Sequence, residues 1–144
     1  FDIMIILDMN EGGEDESRLS LEEKLESGLN CACYLFSESV RNGGNVGFAA
    51  NLSANADRFV FIPCGSGEEH RKRILECFAS LTTLGRRDYS VDALIKLCEP
   101  RIPREADVCL ITSAVDAKLS ATLGALESTG RCVSTITHAG GRCL

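Results

Sequence analysis

The sequence predicts an α/β fold, a three-layer α/β/α sandwich around a mostly parallel sheet with one antiparallel edge hairpin. Three observations carry this. Short apolar runs alternate with longer helical patterns in the order β-α-β-β-α-α-β-α-β. The runs Ile3–Leu7 and Ala106–Ile111 are apolar at almost every position, as strands covered on both faces are. Two further runs, 45–52 and 58–63, are separated only by Ser53-Ala54-Asn55-Ala56-Asp57, a spacing that suits a hairpin rather than a crossover.

Taken in order, Ile3–Leu7 is a central strand, followed by the polar, glycine-bearing loop Met9-Asn10-Glu11-Gly12-Gly13. Ser20-Leu21-Glu22-Glu23 reads as a capping box. It opens a helix whose Leu21, Leu25, Leu29, Ala32, Leu35 and Phe36 form one apolar stripe, ending near Val40 before Asn42-Gly43-Gly44. After the hairpin, Ser66-Gly67-Glu68-Glu69 reads as a second capping box, with Ser66 as N-cap and Ile74, Leu75, Phe78 and Leu81 facing inward. A shorter helix over 91–98 stops at Glu99-Pro100, where proline forbids continuation. The strand 106–111 leads through Thr112-Ser113 into a helix over 114–127, which Gly130 ends. The last strand is 132–137, followed by the tail His138-Ala139-Gly140-Gly141.

Composition narrows the function classes. The 144 residues are 44% hydrophobic and 25% charged, which excludes wholesale disorder and fits one domain, 1–144. No stretch approaches the roughly 20 apolar residues of a membrane span, so this domain is not expected to be membrane-embedded. The chain begins at Phe1, at the lip of a strand, and reads as a domain excised from a longer protein. A net charge of −6 argues against binding nucleic acid. The charge is polarised. Residues 1–27 hold nine acids against Arg18 and Lys24, whereas residues 71–104 hold eight bases against four acids. That polarity suits docking to a protein partner, with Arg86-Arg87 as a basic docking segment; two solvated helix faces explain it equally well.

Of the eight cysteines, Cys109 and Cys132 lie in apolar strand patterns and Cys31, Cys33, Cys77 and Cys98 in helical ones. No Cys-x2-Cys pair is present to start a zinc ribbon. Cys31 and Cys33 on one helix point about 200° apart, too far to share a bridge or a metal. All eight are therefore expected as free thiols, which favours a reducing cytoplasm.

In a sheet of this kind, ligands gather where the carboxyl ends of the central strands meet their loops. That rim carries Asp8 to Gly13, Thr112 to Asp116 and the His138 tail. Elsewhere, Cys64-Gly65-Ser66-Gly67 at a helix start offers backbone N–H groups to an anion. It supports an alternative reading, a phosphate- or nucleotide-binding enzyme using Gly65-Ser66-Gly67, but it lacks Gly-Lys-Ser/Thr and follows an edge strand. Thiol or hydrolytic chemistry would need Cys64 to meet His70, or Ser113 to act as a nucleophile; Thr112-Ser113-Ala114 lacks the Gly-x-Ser-x-Gly elbow. The ordinary role of Ser113 is to cap the following helix, with Asp116 adding charge in its first turn.

The same element order, with Asp8 closing a central strand, resembles a von Willebrand factor type A (vWA) domain, a Rossmann-like fold. More narrowly, the chain resembles the C-terminal half of the bacterial family called domain of unknown function 58. The resemblance rests on Ile3-Met4-Ile5-Ile6-Leu7-Asp8, Gly43-Gly44-x-x-Gly47, Tyr89-Ser90-Val91-Asp92-Ala93-Leu94 and Ala106-Asp107-Val108-Cys109-Leu110-Ile111-Thr112. It implies a non-enzymatic protein–protein interaction module that works with a MoxR-type AAA+ ATPase. It also implies a full-length protein anchored in the membrane with this domain facing the cytoplasm.

Metal-binding vWA domains hold Mg²⁺ with an Asp-x-Ser-x-Ser motif plus a threonine and a second aspartate, consistent with magnesium's demand for oxygen ligands. Here Asp8 matches the first aspartate, but Asn10 and Gly12 replace the serines. The threonine position falls near Asp88, and Asp116 corresponds to the last aspartate. The resemblance therefore implies a degenerate metal-ion-dependent adhesion site of Asp8, Asn10, Asp88 and Asp116, with no tightly held Mg²⁺ or other cofactor. In the absence of the family, Asp8 and Asn10 simply accept loop N–H groups and shape a turn.

Overall fold

The computed structural model describes residues 1–9, 20–53, 58–83, 85, 87–139 and 142–143, with the backbone alone at 139 and 142–143. Its elements are β1 (Asp2–Leu7), α1 (Leu21–Arg41), β2 (Asn45–Ala50), β3 (Val60–Gly65), α2 (Glu68–Ser80), α3 (Val91–Cys98), a 3-10 turn (Glu99–Arg101), β4 (Asp107–Thr112), α4 (Ala117–Glu127), β5 (Val133–Ala139) and β6 (Arg142–Cys143). The strands lie in the order β3-β2-β1-β4-β5-β6. β2, β1, β4 and β5 are parallel, and β3 runs antiparallel on the edge beside β2. The two-residue β6 adds antiparallel to β5, a strand the sequence reading lacked.

Alternation along the strands makes the layers. Ile5, Leu7, Val46, Phe48, Ala50 and Ile111 pack under α1 and α2, with Leu25, Ala32, Phe36, Ile74 and Phe78. On the opposite face, Met4, Ile6, Ala49, Val108 and Leu110 pack under α3 and α4. Val108 and Leu110 therefore face away from α1. They are one residue out of phase with Cys109 and Ile111, and side chains one apart take opposite faces.

Ser20 is the N-cap of α1, as expected. Ser20 Oγ accepts from Glu23 N–H at 3.1 Å and donates to the Glu23 carboxylate at 3.1 Å. The capping box at Ser66 does not form. Gly67 is the N-cap of α2, with φ of 95° and no side-chain cap bond, a backbone that glycine adopts at little cost. Ser66 is left exposed. β3 also runs two residues later than expected and takes in Cys64 and Gly65. The cause is a register shift between Val46 and Phe48 that accommodates Gly47. Pro63, exposed in β3, withholds an N–H from the edge, where an unpaired strand invites aggregation.

Gly47 is a tight position. A Cβ there would lie 2.8 Å from Ile62 O and 2.9 Å from Cys64 N, backbone atoms of the paired strand that cannot yield without opening the hairpin. Gly47→Ala is expected to lose about 1–3 kcal/mol in urea unfolding. Gly124→Ala, in α4 with nothing within 4 Å of the new Cβ, is expected to gain up to about 1 kcal/mol.

The expectation of eight free thiols fails at Cys31, which is disulfide-bonded. Cys33, Cys64, Cys77, Cys98, Cys109 and Cys132 are free. Cys31 lies in the interior, at 0% exposure. Its bonding state was invisible because sequence spacing does not fix disulfide connectivity. Among the described residues no helix is long and apolar enough to cross a membrane.

Candidate functional site at the carboxyl rim

The parallel register aligns Leu7 with Ala50 and Ile111, the last apolar layer of β1, β2 and β4. Each is followed by a polar residue, so Asp8, Asn51 and Thr112 form the next row, on the face covered by α3 and α4. The ladder reaches this row, since Asp8 N–H donates to Ile111 O at 2.8 Å. The chain leaves β1 toward β2 on one side and returns to β4 on the other. Asp8 and Thr112 therefore flank the topological switch point, the usual binding position of an open α/β sheet.

All three side chains are buried, with Asp8 at 8% exposure and Asn51 and Thr112 at 0%. Asn51 Nδ2 donates to Asp8 Oδ1 at 2.9 Å, and the Thr112 hydroxyl lies 2.8 Å from Asp8 Oδ2. Asn51 Oδ1 in turn accepts from Met9 N–H at 2.6 Å. Thr112 Oγ1 is also 3.0 Å from Ala114 O and 3.4 Å from Ala114 N. One hydroxyl thus donates to the Asp8 carboxylate and accepts from the first turn of the β4–α4 loop. Bonds from neutral donors to a buried carboxylate are worth about 1.5–3 kcal/mol each, so this row fixes the rim.

The remaining site expectations divide. Asp116 is the N-cap of α4, its Oδ1 accepting from Leu119 N–H at 2.7 Å. That corrects the expected cap at Ser113: Thr112 completes β4, and residues 113–115 carry the chain off the sheet before helix begins at Ala117. Asp88 is exposed on the loop before α3. Asn10, Gly12 and Arg86 lie outside the described residues. His138 is not in a tail, but it directly follows Thr137, which the register sets beside Thr112 of the rim row. It sits within β5 at 2% exposure, its Nε2 3.7 Å from where a Cβ on Gly28 of α1 would stand.

The thiol candidates are committed elsewhere. Cys64 Sγ donates to Ile3 O at 3.4 Å, and burial, reinforced by the Asp2 charge, pushes its pKa up to about 11. His70 Nε2 donates to Val46 O at 2.6 Å, which holds the ring against Gly65 rather than on a nucleophile. At neutral pH the Cys64 sulfur is a thiol, and the thiolate is the reactive form.

Among the described residues, no group of three or more His, Cys, Asp or Glu gathers where a metal could be held. Mg²⁺ needs near-octahedral oxygen ligands and keeps several waters. The described row supplies one carboxylate, already accepting two hydrogen bonds, plus an amide oxygen and a hydroxyl turned on their neighbours. No protein-family model matches the chain, and no curated protein matches it.

Proposed function

We propose that this chain is a non-enzymatic protein–protein interaction module, vWA-like in kind. It docks a protein through the rim formed by Asp8, Asn51, Thr112 and the loop 113–116, with a MoxR-type AAA+ ATPase as the partner to test first. One observation carries the reading: the row at the switch point turns its donors and acceptors on one another, so it shapes a surface instead of presenting a reactive group. The strand order β3-β2-β1-β4-β5 with an antiparallel edge is compatible with the vWA arrangement as with other Rossmann-like sheets.

The alternative, a phosphate or nucleotide enzyme at Gly65-Ser66-Gly67, has less support. Gly65 belongs to edge strand β3, at the end of the sheet opposite the rim, and α2 begins there without a side-chain cap. A cytoplasmic location for the domain draws on the six free thiols, and the Cys31 disulfide weighs the other way.

The test is calorimetric binding of the purified chain to the ATPase. Val115 is 42% exposed on the rim loop and available for contact. Val115→Glu is expected to weaken binding at least about tenfold, or 1.4 kcal/mol, with the melting temperature unchanged. Wild-type affinity in both Val115→Glu and Asp88→Lys would place the contact elsewhere.

A further inference from the structure

We infer that the surface between β3 and α3 is a second docking face, one that receives an acidic segment of a protein partner. Arg101 takes a carboxylate of that segment, and Leu97 with Phe61 seats an apolar side chain beside it. The inference rests on the docking reading above for the class of partner; the face itself stands on separate residues.

Phe59 and Phe61 lie on the side of the sheet that α3 covers, packed against the cluster of Val91, Leu94, Ile95 and Cys98. β3 is the edge strand, and both rings remain partly exposed. Tyr89, just ahead of α3, meets Phe59 edge-to-face at 5.5 Å between ring centroids, and Arg101, just after α3, lies over the Phe61 ring at 4.1 Å. These two contacts fix the side of α3 that borders β3. Ala93 and Leu97 fall on that side, because residues four apart on a helix share a face. Leu97 is 46% exposed. The strip of Phe59, Phe61, Ala93 and Leu97 is therefore apolar and open to solvent.

Arg101 sets the chemistry. A guanidinium stacked on a ring has its plane fixed while its N–H groups point out from the edge, the fork that a carboxylate accepts in two parallel bonds. Among the described residues this guanidinium makes no hydrogen bond and no ion pair. The other charged side chains here are Arg58, beside Phe59 in the chain, and Arg87 and Asp88, ahead of Tyr89. Arg87 and Asp88 offset each other in charge, so Arg58 and Arg101 make the face positive on a chain of net charge −6. On the opposite flank of α3, Lys96 is exposed and Glu99 is taken by Arg131. A nucleic acid suits the face less well. Arg101 covers one face of Phe61, and the Phe59 and Tyr89 rings stand at 84° to each other, so no parallel platform is offered to bases.

The experiment titrates the labelled chain with a peptide holding a leucine-phenylalanine pair between two flanking glutamates on each side. NMR follows the amides of residues 58–61, 97 and 101. The comparison probes are the same peptide with glutamines for glutamates, the same peptide with alanines for the apolar pair, and oligothymidylate. A saturable shift of these amides is expected with the acidic apolar peptide. Its affinity should fall at least about threefold in Arg101→Gln and in Arg58→Gln, the worth of one exposed ion pair. Leu97→Asn should weaken it likewise, and Val115→Glu should leave it unchanged. Arg58→Gln touches no ring contact, so it keeps the test of charge independent of the fold. No saturable shift, equal binding of the glutamine peptide, or wild-type affinity in both Arg58→Gln and Leu97→Asn would overturn the inference. A stronger shift of the same amides by oligothymidylate would overturn it in favour of a nucleic acid. Failure of the ATPase to bind while the peptide still binds would count against the proposed partner and not against this face.

Discussion

Arg131→Ala is expected to destabilise the fold by about 3 kcal/mol, toward the lower end of the range for breaking a buried ion pair. The Arg131 side chain is 3% exposed. Its Nη1 donates to Glu99 Oε1 and to Thr129 Oγ1, each at 2.8 Å. Nη2 donates to Ile102 O at 2.7 Å and Nε to Pro103 O at 3.2 Å. One guanidinium thus ties the turn after α4 to the 3-10 segment that feeds β4, at the end of the sheet opposite the rim. Removal strands two backbone carbonyls, whereas Glu99, with its side chain 37% exposed, regains water; that recovery sets the lower figure. Arg131→Lys restores the charge but cannot reproduce the planar fork, so it should recover less than half of the loss. Urea unfolding with an unchanged denaturant slope is the measurement. A loss below about 1 kcal/mol for alanine would mean that the guanidinium contributes no net stability.

Phe48→Ala is the other large effect, expected at about 3–5 kcal/mol. Phe48 in β2 is 0% exposed and meets Phe78 of α2 edge-to-face at 4.8 Å between ring centroids. Phe78 in turn meets Phe36 of α1 at 6.0 Å. The three rings join the sheet to both helices of one layer. Removing the ring beneath leaves a cavity that two helices must collapse to fill. Aromatic pairing adds about 0.5–1.5 kcal/mol beyond area, so the double variant Phe48→Ala/Phe78→Ala should lose less than the sum of the singles by about that amount. Strict additivity in the cycle would show that the rings do not interact.

Most of the architecture was legible because periodicity is local. Ile3–Leu7 and the α1 stripe need no knowledge of their neighbours. The errors fall where a distant partner decides the outcome. The Ser66 capping pattern is locally complete, yet the shift at Gly47 carries β3 through Gly65 and leaves Gly67 to start α2. Arg131 follows a helix-stopping glycine with nothing nearby to mark it as buried; apart from Thr129, its partners are about 30 residues upstream.

The site was half legible for the same reason. Asp8 stands out as the polar end of a wholly apolar strand, and Thr112 was placed on the rim. Their bond, and Asn51's share in it, depend on the register between β2, β1 and β4, which no spacing along the chain reveals. The signal that could have found the row is the repeated step from last apolar to first polar residue: Leu7-Asp8, Ala50-Asn51, Ile111-Thr112. Asp116 was assigned by correspondence with a motif, and its backbone position makes it the N-cap of α4.

The central claim is that Asp8 serves the rim as a hydrogen-bonded carboxylate and not as a magnesium ligand. The direct measurement is thermal unfolding during Mg²⁺ titration of the wild-type chain and of Asp8→Ala. A ligand present at 100 times its dissociation constant adds about 2.7 kcal/mol of stability, several degrees for a chain of this size. The account expects no rise at sub-millimolar Mg²⁺ and a lower melting temperature for Asp8→Ala with or without the ion. A clear rise at sub-millimolar Mg²⁺, abolished by Asp8→Ala, would contradict it and restore metal-dependent adhesion.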